Sequence, residues 1–122
     1  MATQPKDGVF IHISRGSEDP HRVLMALTLA EKMAEDKDVF VFFDIKGAEV
    51  PLKNAPSLEF KDFYSSSVLL SRLIEKGVQI SVCPMCLTAA NHQPDNLLDK
   101  VTLAEKEAFF DFTQGRFLSL SY

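Results

Sequence analysis

Residues 39–45 read Val39-Phe40-Val41-Phe42-Phe43-Asp44-Ile45. Both alternating sets of this run are apolar. A strand with one wet face alternates apolar with polar, so the run predicts a strand covered on both sides, as in the middle of a parallel sheet. Upstream, Val9, Phe10, Ile11 and Ile13 lie between Gly8 and Gly16 and predict a second buried strand over residues 8–14, interrupted by His12. Asp19 suits an N-cap and Pro20 the first helical position, and Val23, Leu24, Leu27, Ala30 and Ala34 follow at helical spacing. Downstream, Pro51 and Pro56 argue against a long element in residues 46–63. Yet Val50, Leu52, Leu58, Phe60 and Phe63 are too apolar for an idle loop, so a covered loop, a lid or an interface is expected.

Residues 65–76 predict the second helix, stopped by Gly77, and residues 78–82 a third strand. Cys83-Pro84-Met85-Cys86 closes that strand and opens a short helix ending at Asn91. Thr102-Leu103-Ala104-Glu105 fits a capping box for a helix running to about Gln114, and residues 116–122 alternate as a last strand. The order is β-α-β-loop-α-β-α-α-β. It predicts an α/β fold: a parallel sheet with helices on both faces, right-handed crossovers, and a site at the carboxyl ends of the strands.

The chain has 122 residues, 46% hydrophobic and 25% charged, with mean hydropathy near zero, which suits a single domain over residues 1–122 with a core of its own. No apolar run approaches the roughly 20 residues of a membrane span. The polar first seven residues carry no hydrophobic leader core. With two cysteines, the expectation is a cytoplasmic protein with free thiols. A net charge of -4 and no Lys/Arg cluster disfavour direct nucleic-acid binding. Ten Phe and two Tyr exceed what so small a core needs, and predict a homo-oligomer with aromatics at its interface.

Three turns end at the expected edge: the one holding Arg15, Gly16 and Ser17, the one after Asp44, and the one at Cys83. If the helix starts at Pro84, Cys83 is its N-cap and the helix's positive end faces the sulfur. Cys86 lies one turn on and within reach. The plainer reading is two buried thiols filling space. A zinc site from Cys83, Cys86 and His92 lacks a second C-x-x-C. A thioredoxin-like pair would stand near the chain's start and lead into one long helix, which residues 90–94 forbid. Arg15 and Ser17 beside a helix start could cradle an anion, with His21 as a further anion partner; the plainer readings are an ordinary turn and a solvated histidine. His12 reads as a hydrogen-bonded core residue and Asp44 as a group that orients its loop. The first and third strands are expected to be adjacent and to end at the same edge, which places Cys83 next to the Arg15–Ser17 turn. No metal and no cofactor is called for.

The turn Ser14-Arg15-Gly16-Ser17-Glu18-Asp19-Pro20, the Phe-rich second strand, and above all residues 78–91 (Val-Gln-Ile-Ser-Val-Cys-Pro-Met-Cys-Leu-Thr-Ala-Ala-Asn) resemble the DsrE/DsrF-like proteins over residues 8–122. The resemblance implies a three-layer α/β/α fold around a largely parallel five-stranded sheet, assembled as trimers or hexamers. Residues 1–122 show four clear strands, so a fifth is expected to be short or to lie within residues 46–60. The resemblance also implies a sulfurtransferase-type role: a sulfur relay in which sulfane sulfur rides as a persulfide on Cys83, exchanged with a small TusA-like carrier protein. Cys86 is matched only in the subset with a C-x-x-C. The alternatives are a dithiol/disulfide oxidoreductase using Cys83 and Cys86, and a non-catalytic oligomeric binding or scaffold subunit.

Overall fold

A computed structural model describes residues 7–122. Five parallel strands stand in the order β4-β3-β2-β1-β5, where β1 is Gly8–Ile13, β2 Asp38–Phe43, β3 Gln79–Val82, β4 Thr102–Leu103 and β5 Phe117–Ser121. The run that predicted a central strand is β2, hydrogen-bonded to β1 on one side and to β3 on the other. From β1 the chain steps one strand at a time to β4, then returns to the far side of β1. Right-handed crossovers put the helices of the first steps on one face and that of the return on the other.

The first face holds α1 (Pro20–Met33) and α2 (Ser66–Glu75). Val9, Ile11, Ile13, Val39, Val41, Phe43, Ile80 and Val82 meet Leu24, Leu27, Leu69 and Leu73 there in one buried cluster. Asp19 caps α1 by accepting from the Arg22 N–H at 3.2 Å, with Pro20 as first helical residue, as the sequence predicts. Gly77 ends α2 with φ 79°, a left-handed turn that strains any other L-residue.

The second face is aromatic. Phe10, Phe40 and Phe42 pack against Phe109, and Phe40 also meets the edge of Phe112; both partners lie on the return helix, Lys106–Phe112 (α4 here, since Pro84–Ala89 is α3). Phe40 is fully buried. Much of the phenylalanine excess is thus spent on a second core layer, although Phe110 and Phe117 remain exposed.

The fifth strand is short, the first of the two expected alternatives: it is the two-residue Thr102–Leu103. Residues 46–60 hold instead most of a 3-10 turn, Ile45–Glu49, and a covered loop with Val50, Pro51 and Leu52 buried. One expectation needs correction: Thr102 does not cap a helix. It pairs with Ser81 of β3, the hydroxyls 3.1 Å apart, and α4 starts at Lys106 with no side-chain cap from Glu105. Exposed backbone on β3 needed a partner, and that tertiary demand outweighed the local capping pattern. Among the described residues no helix is long and apolar enough to cross a membrane.

Candidate functional site at the carboxyl edge of the sheet

The β3 strand ends where the Cys83 N–H donates to the Phe43 carbonyl of β2 at 2.9 Å. That bond extends the sheet ladder by one residue and fixes Cys83 at the sheet edge. Pro84 cannot continue the ladder but starts α3 readily, so the chain turns here. Cys83 is the N-cap, as the sequence predicts, and its Sγ accepts from the Cys86 N–H at 3.4 Å. Both cysteines are half-buried free thiols. Between them Met85 projects into solvent, 82% exposed.

The Ile45–Glu49 turn closes the site from the β2 side. Gly47 makes this possible: a Cβ there would lie 2.2 Å from the Ile13 carbonyl oxygen, so only glycine lets the turn sit so close to the end of β1. Ile45 pays with φ 52°, a left-handed conformation unusual for a β-branched residue. Burial pushes the Cys86 thiol up from its ordinary range. The hydrogen bond with Cys83 and the negative charges of Cys83 and Asp44 push the same way, and the backbone of Ile45 pulls it down.

Asp44 begins this turn and does not cap it with its side chain. Its Oδ1 lies 2.6 Å from His12 Nε2 on β1. His12 is hydrogen-bonded, as expected of it, and also stacks on Phe42 at 5.7 Å between centroids. What the sequence reading did not see is that this pair stands beside the cysteines. The available signal was a polar residue near the end of each of two apolar strands whose registers match, with His12 opposite Phe42.

The remaining candidates fall elsewhere on the same edge. The strands β1 and β3 are not neighbours; β2 stands between them. The turn of Arg15 and Ser17 accordingly packs against the 3-10 turn: a Cβ on Gly16 would meet the Lys46 carbonyl oxygen at 2.5 Å. Arg15 and Ser17 are exposed. The Gly16 N–H, the natural anion donor of that turn, already donates to the chain's own Glu18 Oε1 at 2.6 Å. Ser17 lines a cavity of about 300 Å³ with Glu49, Asn54 and His92. His21 stacks on Phe60 at 4.3 Å, over the loop that covers α1. His92 lies 3.4 Å from Glu49, and among the described residues no three His, Cys, Asp or Glu groups converge as a metal site would require.

A five-stranded parallel sheet between helical layers, with a cysteine at the carboxyl end of β3, defines an α/β/α protein of the DsrE type. The chain matches the DsrE/DsrF-like family over residues 7–116 and belongs to it. In fold it is similar to the ychN protein from E. coli, at 18% identity and a TM-score of 0.66, covering 98% of this chain and 100% of that one. It is similar also to MTH1491 of Methanobacterium thermoautotrophicum, a protein of unknown function, at 19% identity and a TM-score of 0.68, covering 93% and 97%. No curated protein matches it.

Proposed function

We propose that this chain is a small cytoplasmic sulfur carrier that holds sulfane sulfur as a persulfide on Cys83. The observation that carries the reading is the placement of Cys83: at a strand end, N-cap of α3, its sulfur held by the Cys86 N–H. Family membership supports it. The Cys83 thiolate attacks the outer sulfur of a donor; the donor's S–S bond breaks, and the donor leaves as its thiolate or sulfite. No metal and no cofactor takes part. Cys86 can then attack the Cys83 sulfur, expelling the outer sulfur as hydrosulfide and leaving a Cys83–Cys86 disulfide. An external thiol must reduce this disulfide before the next cycle. Transfer to an acceptor thiolate returns Cys83 without oxidation and is the relay outcome.

A docking rim suits that transfer. Met85 and Ile45, 82% and 61% exposed, flank the cysteines as apolar anchors for a small TusA-like carrier protein. Phe110, Phe117 and Leu118 on α4 and the edge strand β5 suit contact with further copies of this chain, in a trimer or hexamer. Arg15, Ser17 and His21 serve the anionic donor only if it spans from the cysteines across the Ile45–Glu49 turn.

The second reading, dithiol oxidoreductase, is favoured by the contact between the two thiols. Intact mass after incubation with thiosulfate or polysulfide separates the readings. Gain of one sulfur atom that is lost in the C83S variant supports the carrier. Loss of two hydrogens from the wild type with no sulfur gain in the C86S variant, where a carrier would keep its persulfide, supports the oxidoreductase, and no change in either protein overturns both.

A further inference from the structure

The sheet ends at β5, and the backbone of that strand has two unlike sides. The Tyr122 N–H donates to the His12 carbonyl at 2.8 Å, and its carbonyl accepts from the Ser14 N–H at 2.8 Å. The Arg116 carbonyl likewise accepts from the Gly8 N–H at 2.8 Å. In a parallel ladder a residue turns both N–H and C=O to one neighbour, and the next residue turns both away. Arg116, Leu118, Leu120 and Tyr122 therefore face β1, while Phe117, Ser119 and Ser121 direct their backbone groups outward. Among the described residues, none of these outward groups has a hydrogen-bond partner. Proteins guard such an edge with Lys, Pro, a bulge or a covering element. The strand, Phe-Leu-Ser-Leu-Ser, has neither charge nor Pro, and its register with β1 runs unbroken from Gly8↔Phe117 to His12↔Ser121. Both its faces are open: Phe117, on the aromatic face, is 50% exposed, and Leu118, on the α1 face, is 49% exposed. The adjoining Arg116 is held by Asp7 at 2.8 and 3.1 Å, so its charge is balanced where an identical strand would approach.

We infer that β5 docks antiparallel on β5 of a second copy of this chain, about a two-fold axis through Ser119, and joins the two sheets into one. The edge is complementary to itself in one register above all. With Ser119 opposite the partner's Ser119, Phe117 stands opposite the partner's Ser121 and Ser121 opposite the partner's Phe117. Every outward residue of both strands then sits in a hydrogen-bonded pair that exchanges both N–H···O bonds. A shift of two residues either way leaves one outward residue on each strand unpaired, and a shift of one sets outward groups against inward ones. A parallel two-fold pairing sets the outward residues level, where a parallel ladder needs them staggered by one. The chosen register also places Leu118 opposite the partner's Leu120, and Leu120 opposite the partner's Leu118, in the closer non-hydrogen-bonded positions. Four leucines so meet on the face that already holds Val9 and Ile11, their register partners on β1. A two-fold contact closes on itself, so it fits a dimer or a hexamer and not a trimer. It stands apart from the sulfur-carrier reading and holds whether or not Cys83 carries sulfur.

The test compares two serines of the same strand as single cysteines in a C83S/C86S background, oxidised with diamide. At the axis, the Cα atoms of the two copies of residue 119 lie about 5.5 Å apart, inside the disulfide range. The two copies of residue 121 lie four residues apart along the paired strands, about 14 Å, and out of reach. S119C is expected to form a disulfide-linked dimer by intact mass and S121C to stay unlinked. Light scattering adds the second reading. S119K sets two ammonium groups against each other at the axis and is expected to halve the mass. S119P removes the central outward N–H but keeps the ladder to β1, which Leu118 and Leu120 carry, and is expected to do the same. Circular dichroism confirms that the variants are folded; if S119P does not fold, S119K decides, because it leaves the backbone as it is. Linking of S121C as readily as S119C, no linking of S119C, a monomeric wild type, or a folded S119K with the wild-type mass each overturns the inference.

Discussion

Gly47→Ala tests how the site is held together. The Cβ of an alanine would lie 2.2 Å from the Ile13 carbonyl oxygen and 3.3 Å from that of Arg15. An ordinary carbon–oxygen approach is about 3.3–3.6 Å, so roughly 1 Å must be found. Neither obstacle is a side chain that can swing aside. The Ile13 carbonyl accepts from the Asp44 N–H at 3.1 Å and belongs to the sheet edge, so the Ile45–Glu49 turn must lift. Overpacking of this kind costs about 1–3 kcal/mol. The φ at Gly47 is one that alanine accepts, and without the clash the substitution would stabilise by about 0.4–1 kcal/mol through the unfolded chain. The net expectation is a loss of about 1–2 kcal/mol, which for a chain of this size lowers Tm by roughly 4–8 °C. Thermal melting followed by circular dichroism reads it directly. The sign is decisive: a G47A variant that melts at or above the wild-type temperature would refute the close approach, and with it the reason given for the strained Ile45.

Other expectations can be checked alongside. Phe40→Ala empties a fully buried site between Phe10, Phe109 and Phe112 and should cost about 3–5 kcal/mol in urea titration, nearer the low end if the short α4 settles into the gap. Iodoacetamide near pH 7 should modify Cys83 faster than Cys86, because burial and neighbouring negative groups hold Cys86 protonated; equal rates in the two single Cys→Ser variants contradict this. The same raised Cys86 lets the folded chain bind more protons than the unfolded one above the ordinary thiol value of 9.0, so unfolding free energy should fall as pH rises through that value, and C86S should flatten the decline. Light scattering across micromolar concentrations should give a mass above that of the 13.7 kDa monomer, and serine at Phe110 and Leu118 should lower it.

The local chemistry of the chain determined the main elements and the cysteine turn. Two-sided apolarity in residues 39–45 requires a covered strand, Asp19-Pro20 starts a helix, and Gly77 can end one. Cys83 followed by Pro84 at the end of an apolar strand must turn into a helix with the sulfur at its cap. Each follows from side-chain polarity or backbone freedom within a few residues, and the structure shows each in place. Other features depend on partners far away in the chain. Thr102 became a strand residue because β3 offered it a ladder, although its own neighbourhood favoured a cap. Gly47 is the point where two backbones nearly touch, which only the packing of β1 against the following turn could require. His12 and Asp44, separated by 32 positions, each had an ordinary local reading. Only the parallel register of β1 and β2 joined them, and only the order of the strands put that pair beside Cys86 while leaving Arg15 across β2 from Cys83.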